Sequence, residues 1–222
     1  RKRENFMSIK EIVNKNNIIY NKLATEYNKR MNLYISHQQK VINPFIKILE
    51  ENFNNNNEVY VLDVGCGVGL DLKLISKNGF KTYGIDYSSN MAEYARLNSK
   101  NSNIINSDFI EHDFEILFHG VIMDAFIHLF PKNEIGTIFR KLYTILLPSS
   151  FAFISTTKHQ NSKEGYYKKG DYKTETKRYR AYWTNNELES SIKEFGFIIV
   201  DKYEDYEVNF NKRWMNFIIQ KP

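Results

Sequence analysis

The stretch VYVLDVGCGVGL at residues 59–70 decides how the rest of the chain is interpreted. It begins with four consecutive apolar residues, which is typical of a strand buried on both faces. Gly65, Gly67 and Gly69 follow directly, and then an apolar pattern with helical spacing begins. A glycine lacks the Cβ that would keep a ligand away from the backbone, and it permits positive φ. The stretch therefore predicts a strand, a ligand-binding loop and a helix.

Further strand signals follow at intervals, and periodic apolar segments that predict helices lie between them. The predicted strands are at residues 81–85, 103–106, 121–123, 151–155, 197–200 and 217–219. Strands separated by helices indicate an α/β fold with a mostly parallel, doubly wound sheet. Such sheets bind ligands at the carboxyl ends of their strands. Asp86 ends the second strand, where a carboxylate can accept hydrogen bonds from both ribose hydroxyls of an adenosine.

Two apolar patterns with helical spacing precede the sheet. One passes through Ile9 and Tyr27, and the other runs from Val41 to Leu49, where Pro44 suits the first turn of a helix. The asparagine-rich stretch at residues 52–57 is polar, and asparagine tolerates turn conformations. We therefore predict an N-terminal helical cap at residues 1–52 and a main domain at residues 58–222.

The composition is that of a globular protein with a full hydrophobic core. The chain has 222 residues, 42% of them hydrophobic, and a formal net charge of +5. Cys66 is the only cysteine and the histidines show no metal-ligand spacing, so an internal disulfide is excluded and no metal is predicted. No apolar run approaches the roughly 18 residues of a membrane span, and the first residues do not resemble a secretory signal. A cytoplasmic protein is therefore expected.

The positive charge is concentrated in one stretch. From Lys158 to Arg180 there are eight basic and three acidic residues, an excess equal to the net charge of the whole chain. The wider stretch at residues 156–183 also holds five tyrosines and one tryptophan, and it lacks strong apolar periodicity. Loops of this length in compact domains are commonly functional. We expect a functional insertion here, and a solvated charged hairpin is the alternative.

Five segments, in this order, resemble the motifs of the class I S-adenosylmethionine-dependent methyltransferases. Residues 61–69 resemble the first motif, whose loop contacts the methionine part of the cofactor, and residues 84–88 resemble the second, whose acidic residue binds ribose. Residues 107–109 resemble the third motif, and residues 125–131 resemble the segment that borders the transferable methyl. Residues 146–150, Leu-Leu-Pro-Ser-Ser, replace the family's usual Leu-Lys-Pro-Gly-Gly turn.

The resemblance extends from about residue 20 to the C-terminus and implies a fold and a cofactor. The implied fold is Rossmann-like, with a seven-stranded, mostly parallel sheet, an antiparallel last strand, and a substrate lid at residues 156–183 after the fifth strand. The implied cofactor is S-adenosyl-L-methionine, with Asp86 on its ribose and Asp108 on its adenine amino group. The residues expected to contact it are Asp63, Gly65, Cys66, Gly67, Gly69, Asp86, Tyr87, Met91, Asp108, Phe109 and Met123.

Three residues are candidates for catalysis beside the transferable methyl. His128 is the candidate general base because its ordinary pKa lies near neutrality, and a packing role is the alternative. Asp124 can hold a cationic amine or take its proton, or it can cap the helix that follows. Tyr27 is expected to line the site, because residues 20–27 resemble the opening helix of the small-molecule members of the family.

The predicted lid supplies most of the candidate contacts to the methyl acceptor. Tyrosine and tryptophan side chains would form walls, and an arginine could clamp a carboxylate. The residues expected to contact the acceptor are Tyr20, Tyr166, Arg178, Arg180, Trp183 and Trp214.

The resemblance implies an enzyme that methylates an N or O nucleophile of a small molecule or short peptide, in natural-product biosynthesis. An RNA methyltransferase that grips a single strand with the basic, aromatic lid is the alternative. A non-catalytic cofactor-binding protein is the third interpretation. A nucleic-acid partner is disfavoured because the chain has no separate RNA-binding module, no membrane partner is expected, and the oligomeric state stays open.

Overall fold

The computed structural model describes residues 8–168 and 176–222. Its centre is a seven-stranded sheet, accompanied by a separate two-stranded ribbon. Among the described residues the strands are β1 (Tyr60–Val64), β2 (Lys81–Asp86), β3 (Asn103–Asn106), β4 (Phe118–Asp124), β5 (Leu146–Thr157), β6 (Lys163–Lys168), β7 (Lys177–Tyr182), β8 (Ile198–Glu207) and β9 (Lys212–Gln220). The α-helices of the same residues are α1 (Ile9–Asn52), α2 (Leu70–Ser76), α3 (Ser89–Asn98), α4 (Ile135–Ile145) and α5 (Asn185–Glu194).

The main sheet has the strand order β3-β2-β1-β4-β5-β9-β8. Its neighbouring strands are parallel except at β9, which is antiparallel to both β5 and β8. The order reverses between β1 and β4, so the loops that leave these two strands diverge and open a crevice at their carboxyl ends. The predicted Rossmann-like sheet with an antiparallel last strand is therefore confirmed.

Alternation along the central strands divides the core between the two faces of the sheet. On β4, Val121 and Met123 join the apolar cluster that contains α4 and α5, whereas Ile122 joins the cluster that contains α1 and α2. Successive side chains of a strand point to opposite faces, so a continuous apolar run can bury both. This explains why the central strands of the chain carry few polar residues.

The N-terminal region is one helix of 44 residues, and the prediction of separate helices is wrong. Ser8 begins α1 with a capping box, in which its side chain accepts from the amide of Glu11 and the Glu11 carboxylate accepts in return. Pro44 lies inside the helix, not in a first turn. A proline in a helix interior removes one backbone hydrogen bond. Buried neighbours such as Ile42 and Phe45 offset that loss by packing on the sheet.

The C-terminal half of α1 lies directly on the sheet. A Cβ added to Gly120 of β4 would come within 3.2 Å of the Phe45 ring and of a Leu49 methyl group. The Phe45 ring centroid lies 6.0 Å from that of Phe153 on β5. The helix ends at Asn52, where the predicted cap ends. The assignment of this cap as a unit distinct from residues 58–222 stays a prediction.

Several strands extend beyond their apolar centres. The predicted strand at residues 197–200 continues to Glu207 in β8, and the one at residues 217–219 begins already at Lys212 in β9. The extra residues form an antiparallel pair in which Glu207 is aligned with Lys212. Polar residues suit this end because β8 is an edge strand and most of its side chains are exposed. Apolar runs alone therefore mark only the buried part of such strands.

Within the predicted lid at residues 156–183, β6 and β7 form an antiparallel ribbon. The first two residues of the lid belong to β5 instead, and a single isolated bridge between Lys158 and Trp183 connects the ribbon to that strand's continuation. Residues 169–175, which join β6 to β7, lie outside the described residues. Within the described ranges, no helix is both long enough and apolar enough to cross a membrane.

We predict that removing the Phe45 ring will strongly destabilise the fold. Phe45 is fully buried between α1 and the sheet. Replacing a buried phenylalanine by alanine removes its burial energy and leaves a cavity, which costs about 3–5 kcal/mol. Phe45→Ala should therefore lower the free energy of unfolding by that amount in urea titrations. Leu33→Ala is the matched control, because Leu33 is 64% exposed on the same helix and should change it by less than about 0.5 kcal/mol. Equal effects of both changes would contradict the packing described here.

Candidate active site

A cavity of about 310 Å³ lies at the carboxyl ends of β1, β2, β4 and β5, beneath α1. This volume is within the range of small-ligand sites, roughly 300–1,000 Å³. The structure brings these predicted site residues to its wall: Tyr20, Tyr27, Asp63, Gly65, Cys66, Gly67, Asp86, Tyr87, Met91, Asp108, Phe109, Asp124, His128, Arg178, Arg180 and Trp214. The switch point of the sheet and the predicted site therefore coincide.

The loop after β1 presents bare backbone to the cavity. Gly65, Gly67 and Gly69 all have positive φ, at 72°, 52° and 84°, which residues with a Cβ rarely adopt. A Cβ on Gly65 would lie 2.7 Å from the Phe126 ring, so no side chain fits there. A Cβ on Gly67 would meet nothing closer than a backbone oxygen at 4.0 Å. The space above Gly67 is therefore open to a ligand.

Asp86 is held rigidly at the end of β2. Its Oδ2 accepts from the amide of Gly67 and its Oδ1 accepts from the amide of Ser88, both at 2.8 Å. Burial raises the pKa of Asp86 to about 6, and the two backbone donors oppose that shift. Such a carboxylate retains acceptor sites for hydroxyl donors of a ligand.

The β3 side of the cavity is both aromatic and acidic. Asp108 is half-buried and accepts from the amide of Ile110 at 2.9 Å, and burial raises its pKa. The Phe109 ring is buried and packs edge-to-face on Phe126, with centroids 5.8 Å apart. The Tyr87 hydroxyl donates to Asn14 of α1 at 3.0 Å. This end combines an apolar wall with hydrogen-bond acceptors, which suits a purine nucleoside.

Three buried carboxyl groups meet where β1, α2 and β4 converge. Gln38 of α1 donates from Nε2 to Oδ1 of Asp71 at 2.8 Å and to Oδ2 of Asp124 at 3.0 Å. Burial, and then the Asp71 carboxylate, raises the pKa of Asp124 to about 8. Burial and the neighbouring carboxylates also raise the pKa of Asp63 well above its usual range. Like charges in a buried site disfavour ionisation, so this region favours a cationic ligand.

The chain leaves β4 through a strained residue. Ala125 has φ of +52°, uncommon for a residue with a Cβ, and its amide donates to the Ser155 carbonyl at 3.0 Å. The following 3₁₀ turn, Ile127–Leu129, holds His128, which is 2% exposed. Its Nδ1 is 3.0 Å from the Thr156 hydroxyl oxygen. Asp124 does not cap this turn, because its carboxylate is engaged with Gln38 and Ser155.

The opposite wall is formed by aromatic rings and two arginines. Arg178 donates from Nη1 to the Tyr20 hydroxyl, and the Tyr20 and Tyr27 rings are tilted against each other with centroids 6.0 Å apart. Arg180 donates from Nη2 to Oγ1 of Thr157 at 2.6 Å. The indole Nε1 of Trp214 donates to Glu207 at 3.0 Å. This wall therefore differs in charge from the acidic region around Asp124.

Four predicted site residues do not line the cavity. Gly69 packs against α3, where a Cβ would lie 3.1 Å from the Ala95 backbone. Met123 is fully buried, and strand alternation turns it toward the α4 face. Trp183 is 2% exposed in the same core cluster, with Lys132 over its ring at 4.9 Å. Tyr166 is 38% exposed on the ribbon.

Sequence reasoning missed several polar residues of the site. Gln38 interrupts an otherwise apolar helix face, and a buried polar residue in such a stripe is the signal that could have revealed it. Asp71 lies two residues beyond Gly69, in the first turn of α2. The Nε2 of His37 lies 2.9 Å from the Asp205 carboxylate, which accepts from Asn216 at 2.7 Å. His37 and Asp205 are 168 positions apart in the sequence, so no local pattern connects them.

We predict that the stability of the ligand-free protein will fall as pH rises, because of Asp124. Its pKa is about 8 in the folded protein and near 3.8 when unfolded, so the folded state holds the proton more tightly between these values. Stability is full below pH 4 and is lost as pH rises through 8. Asp124→Asn removes this loss. The melting temperature of the variant minus that of wild type should therefore be larger at pH 8.5 than at pH 5.

The control for this measurement is Asp113→Asn. The Asp113 carboxylate is fully exposed, 3.6 Å from Lys141. Its replacement should shift the melting temperature by similar small amounts at both pH values. If Asp124→Asn also shifts it equally at both, Asp124 is ionised throughout and the interpretation is wrong.

Comparison with known proteins gives one family and a set of similar folds. Residues 61–149 match the family described as a methyltransferase domain. The malonyl-[acyl-carrier protein] O-methyltransferase of Priestia megaterium is 28% identical over 145 residues, covering 64% of this chain and 52% of that protein. The chain thus spans about half the length of this curated relative.

Two solved structures illustrate the likeness in fold. The 1,6-didemethyltoxoflavin-N1-methyltransferase of Burkholderia thailandensis, solved with 1,6-didemethyltoxoflavin and S-adenosylhomocysteine, has a TM-score of 0.72 at 16% identity, covering 97% of this chain and 91% of that one. The magnesium protoporphyrin IX methyltransferase of Synechocystis, solved with S-adenosylhomocysteine, has a TM-score of 0.64 at 15% identity and covers 83% of each chain. At these identities the likeness concerns the fold alone.

Proposed function

Since the chain belongs to the class I S-adenosylmethionine-dependent methyltransferases, we propose that it moves a methyl group from this cofactor to an oxygen or nitrogen nucleophile of a small molecule or short peptide. One observation carries the proposal: a single cavity joins the open glycine loop and Asp86 to Asp124 and His128. The first pair suits a nucleoside cofactor, and the second pair can orient a nucleophile and accept its proton. Their meeting in one space is what methyl transfer requires.

The residues present fit S-adenosylmethionine. Asp86 is fixed by two backbone donors and can accept from ribose hydroxyls, and the backbone of Gly67 is open to a ligand. Phe109 and Met91 give the cavity an apolar wall. When bound, this cofactor supplies a methyl group already activated by a positively charged sulfur. The buried carboxyl groups around Asp63 match that positive charge.

Two side chains can act on the acceptor. Asp124 carries a raised pKa, so it can hold a proton at neutral pH or ionise beside a positive charge. His128 is fixed by Thr156 at Nδ1, and its burial keeps bulk water away from the ring. We propose that His128 takes the proton of the nucleophile and that Asp124 orients it. Tyr27 lines the same cavity and completes the wall that excludes water.

We assign the acceptor to the small molecules of natural-product biosynthesis. The cavity has the size of a small-ligand site, and α1 covers it. The Burkholderia thailandensis protein described above was solved with a small heterocyclic compound, and the Priestia megaterium protein is named for a malonyl group on a carrier protein. These names support a small or carrier-bound acceptor and do not distinguish between oxygen and nitrogen as the nucleophile.

The RNA alternative finds less support in the ribbon. Arg178 and Arg180 face the cavity, not the solvent. Lys163 lies over the rings of Tyr167 and Tyr182, at 5.3 and 4.8 Å from their centroids. Rings covered in this way offer less surface for stacking with bases, which is the usual mode of single-strand binding.

We predict that Asp86→Ala will weaken the binding of S-adenosylhomocysteine, the demethylated cofactor, by about tenfold to a hundredfold. Hydrogen bonds to a charged group contribute about 1.5–3 kcal/mol, and 1.4 kcal/mol corresponds to a factor of ten. Isothermal titration calorimetry measures the change directly. Asp86→Asn should lie between wild type and alanine, since it keeps one oxygen acceptor.

Asp113→Ala serves as the control for the change in charge, because its carboxylate is fully exposed and outside the cavity. It should bind S-adenosylhomocysteine as wild type does. If wild type does not bind this ligand, or if Asp86→Ala binds it unchanged, the cofactor site is wrongly assigned.

The RNA alternative is tested by salt dependence. We expect no measurable binding of a fluorescent 20-nucleotide single-stranded RNA of mixed sequence at either 50 or 200 mM NaCl. A protein that neutralises several phosphates loses orders of magnitude in affinity between these concentrations. Micromolar binding at 50 mM that disappears at 200 mM would favour the RNA methyltransferase.

A further inference from the structure

Two arginines of the ribbon enter the cavity side by side. Arg178 and Arg180 are two residues apart on β7, so their side chains leave the same face of the strand, and both line the cavity. Arg178 is 6% exposed, donates to the Tyr20 hydroxyl and lies 5.6 Å from the Tyr20 ring centroid. Two positive charges are thus brought together on one wall of the cavity.

Arg180 has no acidic partner among residues 8–168 and 176–222. Its Nη2 donates to Thr157, and its guanidinium lies 5.7 Å from the Tyr182 ring centroid. Its Nε is buried and has no hydrogen-bond partner in the described part of the chain. A buried donor without a partner is uncommon and costs free energy, so it requires an explanation. Burial, and then the charge of Arg178, also lowers the pKa of Arg180.

The position of Arg180 relates it to the acceptor. Its partner Thr157 is two residues beyond Ser155 on β5, and Ser155 is aligned with Asp124 on β4 and hydrogen-bonds to it. Residues two apart on a strand face the same side and are about 7 Å apart. Arg180 is therefore anchored about 7 Å along β5 from the contact between Ser155 and Asp124, where the nucleophile is placed in the proposed function.

The residues that fit a nucleoside belong to strands that are farther from β5 than β4 is. In the strand order, β5 is two positions from β1, which carries the glycine loop, and three from β2, which ends at Asp86. Neighbouring strands are about 4.8 Å apart, so these separations are roughly 10 and 14 Å. Arg180 is thus on the β4–β5 side of the cavity, opposite the residues that fit adenosine.

We propose that the methyl acceptor carries an oxyanion, a carboxylate or a phosphate, which Arg180 binds while the nucleophile lies at Asp124. The planar guanidinium offers parallel donors that match two oxygens of such a group. Arg178 adds positive charge beside it. This inference rests on the proposed function, because it names the chemical class of that function's acceptor.

The same chemistry has a second possible source, since the cofactor also carries a carboxylate. The experiment therefore measures two affinities by isothermal titration calorimetry. The first is that of S-adenosylhomocysteine for wild type and for Arg180→Gln. The second is that of inorganic phosphate and of acetate for both proteins saturated with S-adenosylhomocysteine, at constant ionic strength set with chloride.

We expect wild type to bind phosphate or acetate and Arg180→Gln to bind it at least tenfold more weakly, with S-adenosylhomocysteine affinity unchanged within twofold. Arg140→Gln removes the same charge from an exposed site on α4 outside the cavity and should behave as wild type. If Arg180→Gln does not fold, Arg180→Lys replaces it. That variant keeps the charge but loses the pair of parallel donors, and it should weaken anion binding by about tenfold.

Three results would overturn the inference. The first is that wild type saturated with S-adenosylhomocysteine shows no affinity for either anion, and the second is that the Arg180 variant keeps this affinity. A tenfold loss of S-adenosylhomocysteine affinity in Arg180→Gln would assign the arginine to the cofactor carboxylate. Failure of wild type to bind S-adenosylhomocysteine at all would instead overturn the proposed function, so the two failures are distinguishable.

Discussion

The amide of Gln38 is the contact on which the cavity depends. It donates to Asp71 and Asp124 together, and so connects α1, α2 and β4 at the point where they converge. Without such a donor, two carboxyl groups brought together away from water would repel each other or would each require a proton. This contact therefore holds Asp71 and Asp124 together in the wall of the cavity, where their carboxyl groups can attract a cationic ligand.

The long first helix serves two purposes because its two halves are held differently. Its C-terminal half is fixed in the core by residues such as Phe45 and Leu49. Its N-terminal half covers the cavity through polar contacts, among them the bonds of Asn16 with the Leu129 carbonyl and the Tyr179 amide. One half thus provides rigid attachment, and the other half forms a cover that combines these hydrogen bonds with buried apolar residues such as Leu23 and Met31.

The parts of the fold that depend on short stretches of sequence were predictable. The apolar run of β1 and the glycines after it are local signals, and the structure has the strand and the loop where the sequence places them. Pro44 misled the prediction of α1, because burial of its neighbours outweighs one lost hydrogen bond. Gln38 and Asp205 belong to elements distant in sequence, so only the folded chain brings them to the site. Met123 does not line the cavity because it lies on the α4 face of β4, and an apolar run buried on both faces does not indicate which face a residue occupies.

Among the described residues, the ribbon of β6 and β7 shares no ladder with the main sheet and is joined to the continuation of β5 by one isolated bridge. The two arginines belong to this ribbon, whereas the glycine loop and Asp86 belong to the main sheet. Substitutions in the ribbon can therefore alter one wall of the cavity without changing any strand pairing beneath the nucleoside end. A protein built in this way can acquire a new acceptor through mutation of one hairpin and keep its cofactor.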